Sequence, residues 1–261
     1  MNILINGIGG FMGREVANLC KAGYRGAKLW GGVDPAANDE FGVKVYADLL
    51  DIEECSEIDC IVDFSHHTCA PALLEFAVKN KIPTVVATTG HTDEELAAIY
   101  AAAKKAPIFF SANMSLGVAL LVDLAKTAAV AMPEAEIEII EKHHDRKIDA
   151  PSGTALMIAN SLIEVRPEAY VNSGRSGRAK RTADEIGIHA IRMGNIVGEH
   201  EVILGTQNQT ITLKHEAHSR ALFAEGALAA AAFLVGCPDG LYDMKSLILG
   251  VEKKSEGIAV V

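Results

Sequence analysis

NILINGIGGFMGREV, residues 2–16, sets an apolar run, a glycine-rich turn and the start of a helical pattern in direct succession. Ile3 to Ile5 predicts a strand, and Phe11 to about Lys21 a helix. Gly7, Gly10 and Gly13 punctuate the turn as G-x-x-G-x-x-G, looser than G-x-G-x-x-G, with Gly9 in addition. Glycines let a backbone turn tightly and approach a pyrophosphate, whose charge the helix N-terminus stabilises. Such a turn alone is a weak signal. Here it follows a strand, opens a helix, and is followed by an acid, Asp34, at the end of the next apolar run, Ala27 to Val33. Asp34 lies about 20 residues past the glycines, where a carboxylate accepts both ribose hydroxyls of a dinucleotide. It also repels a 2′-phosphate, so NADH is expected to be favoured over NADPH. NADPH use stays open, because a basic residue from elsewhere in the chain is able to compensate.

Outward from this stretch the same alternation repeats. Asp59 to Phe64, Thr84 to Thr88 and Ala106 to Ser111 read as strands. Helical patterns run from about Cys69 to Lys79 and from Thr92, an N-cap followed by three acids. Alternation at this spacing predicts a parallel sheet with helices on both faces. Ligands of such sheets lie at the carboxyl ends of the strands. Gly7, Gly10, Phe11, Met12 and Gly13 are therefore cofactor candidates, together with Phe64 near the adenine, Ala87, Thr88 and Thr89 near the nicotinamide ribose, and Ser111, Ala112, Asn113 and Met114 near the carboxamide. His66 and His67 are adjacent; on a strand they point opposite ways and share no metal ion.

Beyond residue 113 the pattern changes. A helix from about Leu116 to Ala131, a strand at Glu136 to Glu141 and a helix at Thr154 to Glu164 are followed by three β-like runs, Gly187 to Met193, Glu199 to Leu204 and Gln209 to Leu213. The turns between these runs suggest antiparallel pairing. An Ala-rich helix closes the pattern from about Arg220 to Val235, and is expected to pack back on the first domain. The predicted fold is α/β. Residues 1–113 plus 220–261 form a Rossmann-type dinucleotide-binding domain, and residues 114–219 form an α+β domain on a mixed or antiparallel open sheet.

Bulk properties narrow the function. A net charge of −10 argues against a nucleic-acid footprint. The five cysteines, Cys20, Cys55, Cys60, Cys69 and Cys237, have no CxxC spacing, which fits reduced thiols in the cytoplasm rather than a disulfide framework. The N-terminus enters a strand directly, and no apolar run is suited to spanning a bilayer. The basic run Arg175 to Arg181, RSGRAKR, reads as a solvated loop or a local anion-attracting cluster.

The densest chemistry is EKHHDRKIDAPSGTA, residues 141–155. Ser152 is an N-cap candidate, leaving the amides of Gly153 and Thr154 as donors at the positive end of a helix. His143 and Lys147 lie just upstream. Together they suit a small molecule bearing carboxylates and offer it a proton. A metal site built from His143, His144, His215 and His218 is the rival reading, but no acid has clear spacing to these histidines, and no metal is expected.

These stretches resemble the dihydrodipicolinate reductase family over nearly the whole chain. The resemblance rests on GIGGFMGRE at 7–15, ATTG at 87–90, SANMSLG at 111–117, EKHHDRKIDAPSGTA at 141–155, GNIVGEH at 194–200 and HSRALFAEGA at 218–227. It implies reduction of a cyclic unsaturated dicarboxylate by NADH or NADPH in the diaminopimelate route to lysine. It also implies a homotetramer joined through the sheets of the second domain. By position, His143 matches the family's proposed acid, Lys147 a carboxylate-holding residue with possible help in protonation, His144 a substrate contact, and Ser152, Gly153 and Thr154 the carboxylate pocket. One departure is Ala87, where the family often has glycine.

Overall fold

A computed structural model of the chain describes residues 1–36 and 41–250. In chain order the elements are β1 (Asn2–Asn6), α1 (Phe11–Lys21), β2 (Lys28–Val33), β3 (Val45–Tyr46), β4 (Cys60–Asp63), α2 (Ala70–Asn80), β5 (Thr84–Val86), α3 (Asp93–Ala103) and β6 (Pro107–Phe110). Then follow α4 (Leu116–Ala131), β7 (Glu136–His143), α5 (Gly153–Val165), β8 (Tyr170–Ser173), β9 (Glu185–Arg192), β10 (Gly198–Gly205) and β11 (Thr210–Ala217). The last are α6 (Ala221–Leu234), β12 (Gly240–Tyr242) and α7 (Met244–Leu249). Two compact units result: Met1–Leu116 with the segment from Ala221 onward, and Gly117–Arg220. The portion of the expected first domain at 251–261 lies outside the described residues.

The first unit is built on a parallel sheet in the order β12-β6-β5-β4-β1-β2-β3. This is the doubly wound arrangement, with strand order reversing between β1 and β4. Ile3, Leu4 and Ile5 have no exposure, as befits a central strand covered on both faces. The expected cap of α3 is present: the Thr92 side chain accepts from the Glu95 amide, and Glu95 reaches back to the Thr92 amide. α6 packs on α1, β4, β5 and β6. Its small side chains permit close approach: a Cβ at Gly226 would stand 1.7 Å from the Met114 carbonyl oxygen.

The second unit is a five-stranded mixed sheet, β11-β10-β7-β9-β8. β10 pairs antiparallel with β7 and β11, while β9 pairs parallel with β7 and β8. The expected antiparallel pairing of all three β-like runs is therefore corrected for the first: β9 returns beside β7 after α5 and β8, a connection long enough for a parallel crossover. One face carries Ile137, Ile139, Ile186, Ile188, Val202 and Leu204, buried against α4 and α5. The basic run is not simply solvated. Arg175 bonds Glu185, and Arg181 bonds Glu138 and the carbonyls of Ile137 and Glu185, so two of its cations pin the β8–β9 edge. Among the described residues, no helix is long and apolar enough to cross a membrane.

Candidate active site

In the first unit the chemistry gathers where the strand order reverses. Asn6 at the end of β1 pairs in register with Asp63 at the end of β4. Gly7 has φ +82°, a conformation open to glycine, and a Cβ there would stand 2.6 Å from the Phe64 carbonyl oxygen. A Cβ at Gly13 would stand 2.1 Å from the Gly7 oxygen, so Gly13 serves the packing of α1 on the turn rather than a cavity wall. Gly10 is the N-cap of α1, with no side-chain cap and no acid in the first turn. The positive end of α1 is thus left for an anion.

Two cavities flank this turn. One, of about 600 Å³, is lined by Asn6, Gly7, Gly10, Asp34, Phe64 and Ser65 among others. The other, of about 550 Å³, is lined by Phe11, Met12, Ala87, Thr88, Thr89, Ala112 and Met114, with Phe64, Ser65, His66, His67 and Phe223. Their residues fit a dinucleotide: an uncapped helix start, side-chain-free turns and a carboxylate at the end of β2. Asp34 is itself held by the turn, accepting from the Gly9 amide at 3.0 Å and the Ala36 amide at 2.9 Å. Ser111 and Asn113 do not line these cavities. The Ser111 hydroxyl donates to the Asn113 carbonyl at 2.8 Å and the Asn113 side chain accepts from the Ser115 amide, so both close the loop that presents Ala112 and Met114.

His66 and His67 lie beyond β4 in a helical turn rather than on a strand, and their ring centroids are 4.3 Å apart. Nδ1 of His67 meets the Glu95 carboxylate at 2.9 Å, and Nδ1 of His66 meets the Thr68 hydroxyl at 2.9 Å.

Asp63 is a residue that the sequence did not mark. It is buried and accepts from the Asn6 amide at 2.8 Å, the Ser65 hydroxyl at 2.6 Å and the Thr88 hydroxyl at 2.7 Å. Burial pushes its carboxyl up, against the pull of these donors. The Thr88 hydroxyl is therefore committed to Asp63 rather than free for a ribose. Replacing Asp63 by Ala strands four donors at a buried strand end, the Ser65 amide at 3.3 Å being the fourth. A loss of roughly 2–3 kcal/mol in urea unfolding is expected; a change under about 0.5 kcal/mol would contradict this account.

In the second unit His143 ends β7, and its side chain shares the buried face with Ile137, Ile139 and Glu141. Glu141 has no exposure and accepts four hydrogen bonds: from His143 Nδ1 at 2.6 Å, from Arg192 Nη1 and Nη2 at 2.8 and 2.6 Å, and from the Ser152 amide at 2.9 Å. Burial raises the Glu141 carboxyl, but Arg192, His143 and Ser152 outweigh it and hold it low. Burial lowers the His143 pKa, with Glu141 opposing and Lys147 and Arg192 reinforcing the drop.

Ser152 caps α5, as its sequence suggests, accepting from the Ala155 amide at 3.1 Å. With that lone pair used, its hydroxyl proton points to His200 Nε2 at 3.0 Å. Burial holds His200 at about 4, so it is a neutral acceptor at physiological pH. Lys147 Nζ pairs with Asp149 at 2.8 Å. Lys147, then the amides of Asp149 and Gly153, draw the Asp149 carboxyl below its ordinary value. The Gly153 amide, expected as a free donor, thus acts on an internal carboxylate. His144 is fixed through its amide to the Ile196 carbonyl, and its Nδ1 is buried with no hydrogen-bond partner among the described residues.

Residues 1–114 match the family model described as dihydrodipicolinate reductase, N-terminus, and residues 117–248 the one described as dihydrodipicolinate reductase, C-terminus. The chain belongs to the dihydrodipicolinate reductase family. A 4-hydroxy-tetrahydrodipicolinate reductase from Caldanaerobacter subterraneus is 46% identical over 250 residues, 95% of this chain and 98% of that one. One from Clostridium tetani is 40% identical over 251 residues, 95% of this chain and 97% of its own. The solved structure of a dipicolinate-bound dihydrodipicolinate reductase from Paenisporosarcina sp. TG-14 has a TM-score of 0.79 at 26% identity, covering 93% of this chain and 97% of that one. As a member of the dihydrodipicolinate reductase family, the chain is an oxidoreductase with a nicotinamide cofactor.

Proposed function

We propose that the chain reduces 4-hydroxy-tetrahydrodipicolinate in the diaminopimelate route to lysine, with His143 as proton donor. The observation that supports this most is the cluster at the end of β7: an imidazole held by Glu141, the Lys147 ammonium, and the capped start of α5. Relatives that carry this activity by name span nearly the whole chain.

Loss of the C4 hydroxyl as water would leave a ring C=C conjugated with the imine. Bound reduced nicotinamide would then supply hydride to C4, while one proton enters at the far end of the conjugated system. The chain's own residues bind, orient and protonate. Gly7, Gly10, Phe11, Met12 and Asp34 hold the nucleotide, with Phe64, Ala87, Thr89, Ala112 and Met114 lining the cavities around it. Gly13 acts beneath that surface, Thr88 lines it with its hydroxyl turned to Asp63, and Ser111 and Asn113 brace the loop. In the second unit Lys147, His144, Gly153 and Thr154 hold the two carboxylates; Ser152, its amide given to Glu141 and its hydroxyl to His200, caps α5 beneath them instead of binding substrate. Their arrival brings negative charge to a site where the free imidazole is held low. Opposite charge favours the imidazolium, so substrate binding itself loads the acid. Nε2 is the free ring nitrogen, because Nδ1 is committed to Glu141. A Cβ at Gly198 would stand 3.1 Å from Nε2, so glycine there keeps that nitrogen accessible.

A coupled assay tests the activity: substrate is generated from pyruvate and aspartate semialdehyde by its synthase, and nucleotide oxidation is followed. Absence of synthase-dependent oxidation with either nucleotide would end this reading. The cofactor preference belongs to the same proposal. Asp34→Ser removes a charged acceptor worth about 1.5–3 kcal/mol, so NADH affinity is expected to fall about 10- to 150-fold while NADPH loses less. An unchanged NADH-to-NADPH ratio of kcat/KM would contradict the role given to Asp34. A cytoplasmic homotetramer, joined through the sheet of the second unit, completes the proposal. Sedimentation at a monomer mass would refute the assembly.

A further inference from the structure

We infer that Glu141 and Arg192 form a charge pair that sets the protonation of His143, with Glu141 fixing the ring through Nδ1 and Arg192 limiting how strongly that carboxylate holds the proton. This rests on the reading of His143 as proton donor, but both residues are placed by geometry alone.

The Glu141 carboxylate has about four lone-pair sites, and four donors reach it. It is wholly buried, so water does not replace a missing partner. With the carboxyl ionised, His143 must donate from Nδ1, and the neutral ring is the Nδ1–H tautomer. An isolated Glu–His pair would keep the imidazole charged whether or not substrate is present. Arg192 alters this. Its two Nη atoms grip both oxygens, and Nη2 also donates to the Asp149 carbonyl at 2.6 Å, which fixes the guanidinium at the rim. His143 and Arg192 stand opposite each other in the β7–β9 register.

The charged and titratable groups facing His143 are Glu141 on its own strand, Lys147 on the following loop, Arg192 on β9 and His200 on β10, whose ring centroid is 5.2 Å away. Lys147 is paired with Asp149 and Arg192 with Glu141, so the fixed charges of the free site balance. A dianionic ligand tips that balance toward the imidazolium. Glu141 and Arg192 are thus positioning residues: neither needs to touch substrate, and together they make the acid ready only when substrate is present.

The test is the titration of His143 by NMR in the full-length protein, its ring signal assigned by its loss in His143→Gln. Glu141→Gln keeps the side-chain shape and removes the anion. The midpoint is expected to move down by about 1–3 pH units, the range for loss of an adjacent opposite charge. Arg192→Gln removes a cation and leaves the carboxylate less shared, so the midpoint is expected to move up. The pH limb of kcat should follow in each case. Glu141→Asp, which keeps the charge but shortens the reach to Nδ1, gives a smaller downward shift and serves if either glutamine variant fails to fold.

A purely structural role for Glu141 would lower Tm without moving the titration. Unchanged midpoints, or shifts of the same sign for Glu141→Gln and Arg192→Gln, would overturn the inference. Full turnover in His143→Gln would instead overturn the acid assignment, and the titration would still decide whether the pair exists.

Discussion

Replacing His143 by Gln lowers turnover by about 10²–10⁴-fold, the usual contribution of a positioned general acid. NADH affinity is expected to stay near that of the unaltered protein, because the residues proposed to hold the nucleotide belong to the other unit. Gln is the informative substitute. It fills similar space and can still hydrogen-bond to Glu141, so the fold of β7 is kept while the transferable proton is lost. The loss should appear in kcat and kcat/KM together, the pattern of an interaction made only in the transition state. Near-normal single-turnover rates in this variant would sink the assignment. The alternative donor is then Lys147, and its variant would have to show the larger defect in kcat.

Lys147→Ala raises the substrate KM by about 10- to 150-fold, the value of a charge-assisted hydrogen bond of 1.5–3 kcal/mol to a carboxylate. In the free protein that ammonium is already occupied by Asp149 at 2.8 Å. On the proposed role, a substrate carboxylate would displace an internal one to reach it. Asp149→Asn removes the competitor and should therefore lower KM, opposite in sign to Lys147→Ala. An unchanged KM in the lysine variant would contradict the carboxylate role. A raised KM in the asparagine variant would mean that Asp149 orients Lys147 rather than competing for it.

The first unit was legible because parallel strands buried on both faces leave continuous apolar runs, and the glycine turn after β1 gains meaning from the strand before it and the helix after it. Asp34 was legible from its distance to that turn. The short strands β3 and β12 escaped because two or three residues carry no periodicity. The parallel return of β9 escaped for a different reason: strand direction is decided by a partner far away in sequence, and turn residues near Gly194 suggest a β9–β10 hairpin, whereas β7 stands between those two strands. Within the site, His143, Lys147 and Ser152 announce themselves by residue type.

Asp63, Glu141 and Arg192 do not, since acids and arginines are common on surfaces. One signal was available for Glu141. In β7 it falls two residues after Ile139 and two before His143, on the face whose other members are buried. A carboxylate at an inward position needs a partner. Which arginine supplies it depends on the β7–β9 register.

That register has a wider meaning. The loop from β7 into α5 joins the carboxyl end of a strand that has a parallel neighbour, β9, to the start of a helix. The glycine turn from β1 into α1 does the same. The two lobes share no sequence pattern, yet each sets its candidate anion-handling groups at one kind of corner, a strand tip meeting a helix start. The polypeptide thus employs a single geometric idea twice, once with bare backbone and once with ionisable side chains.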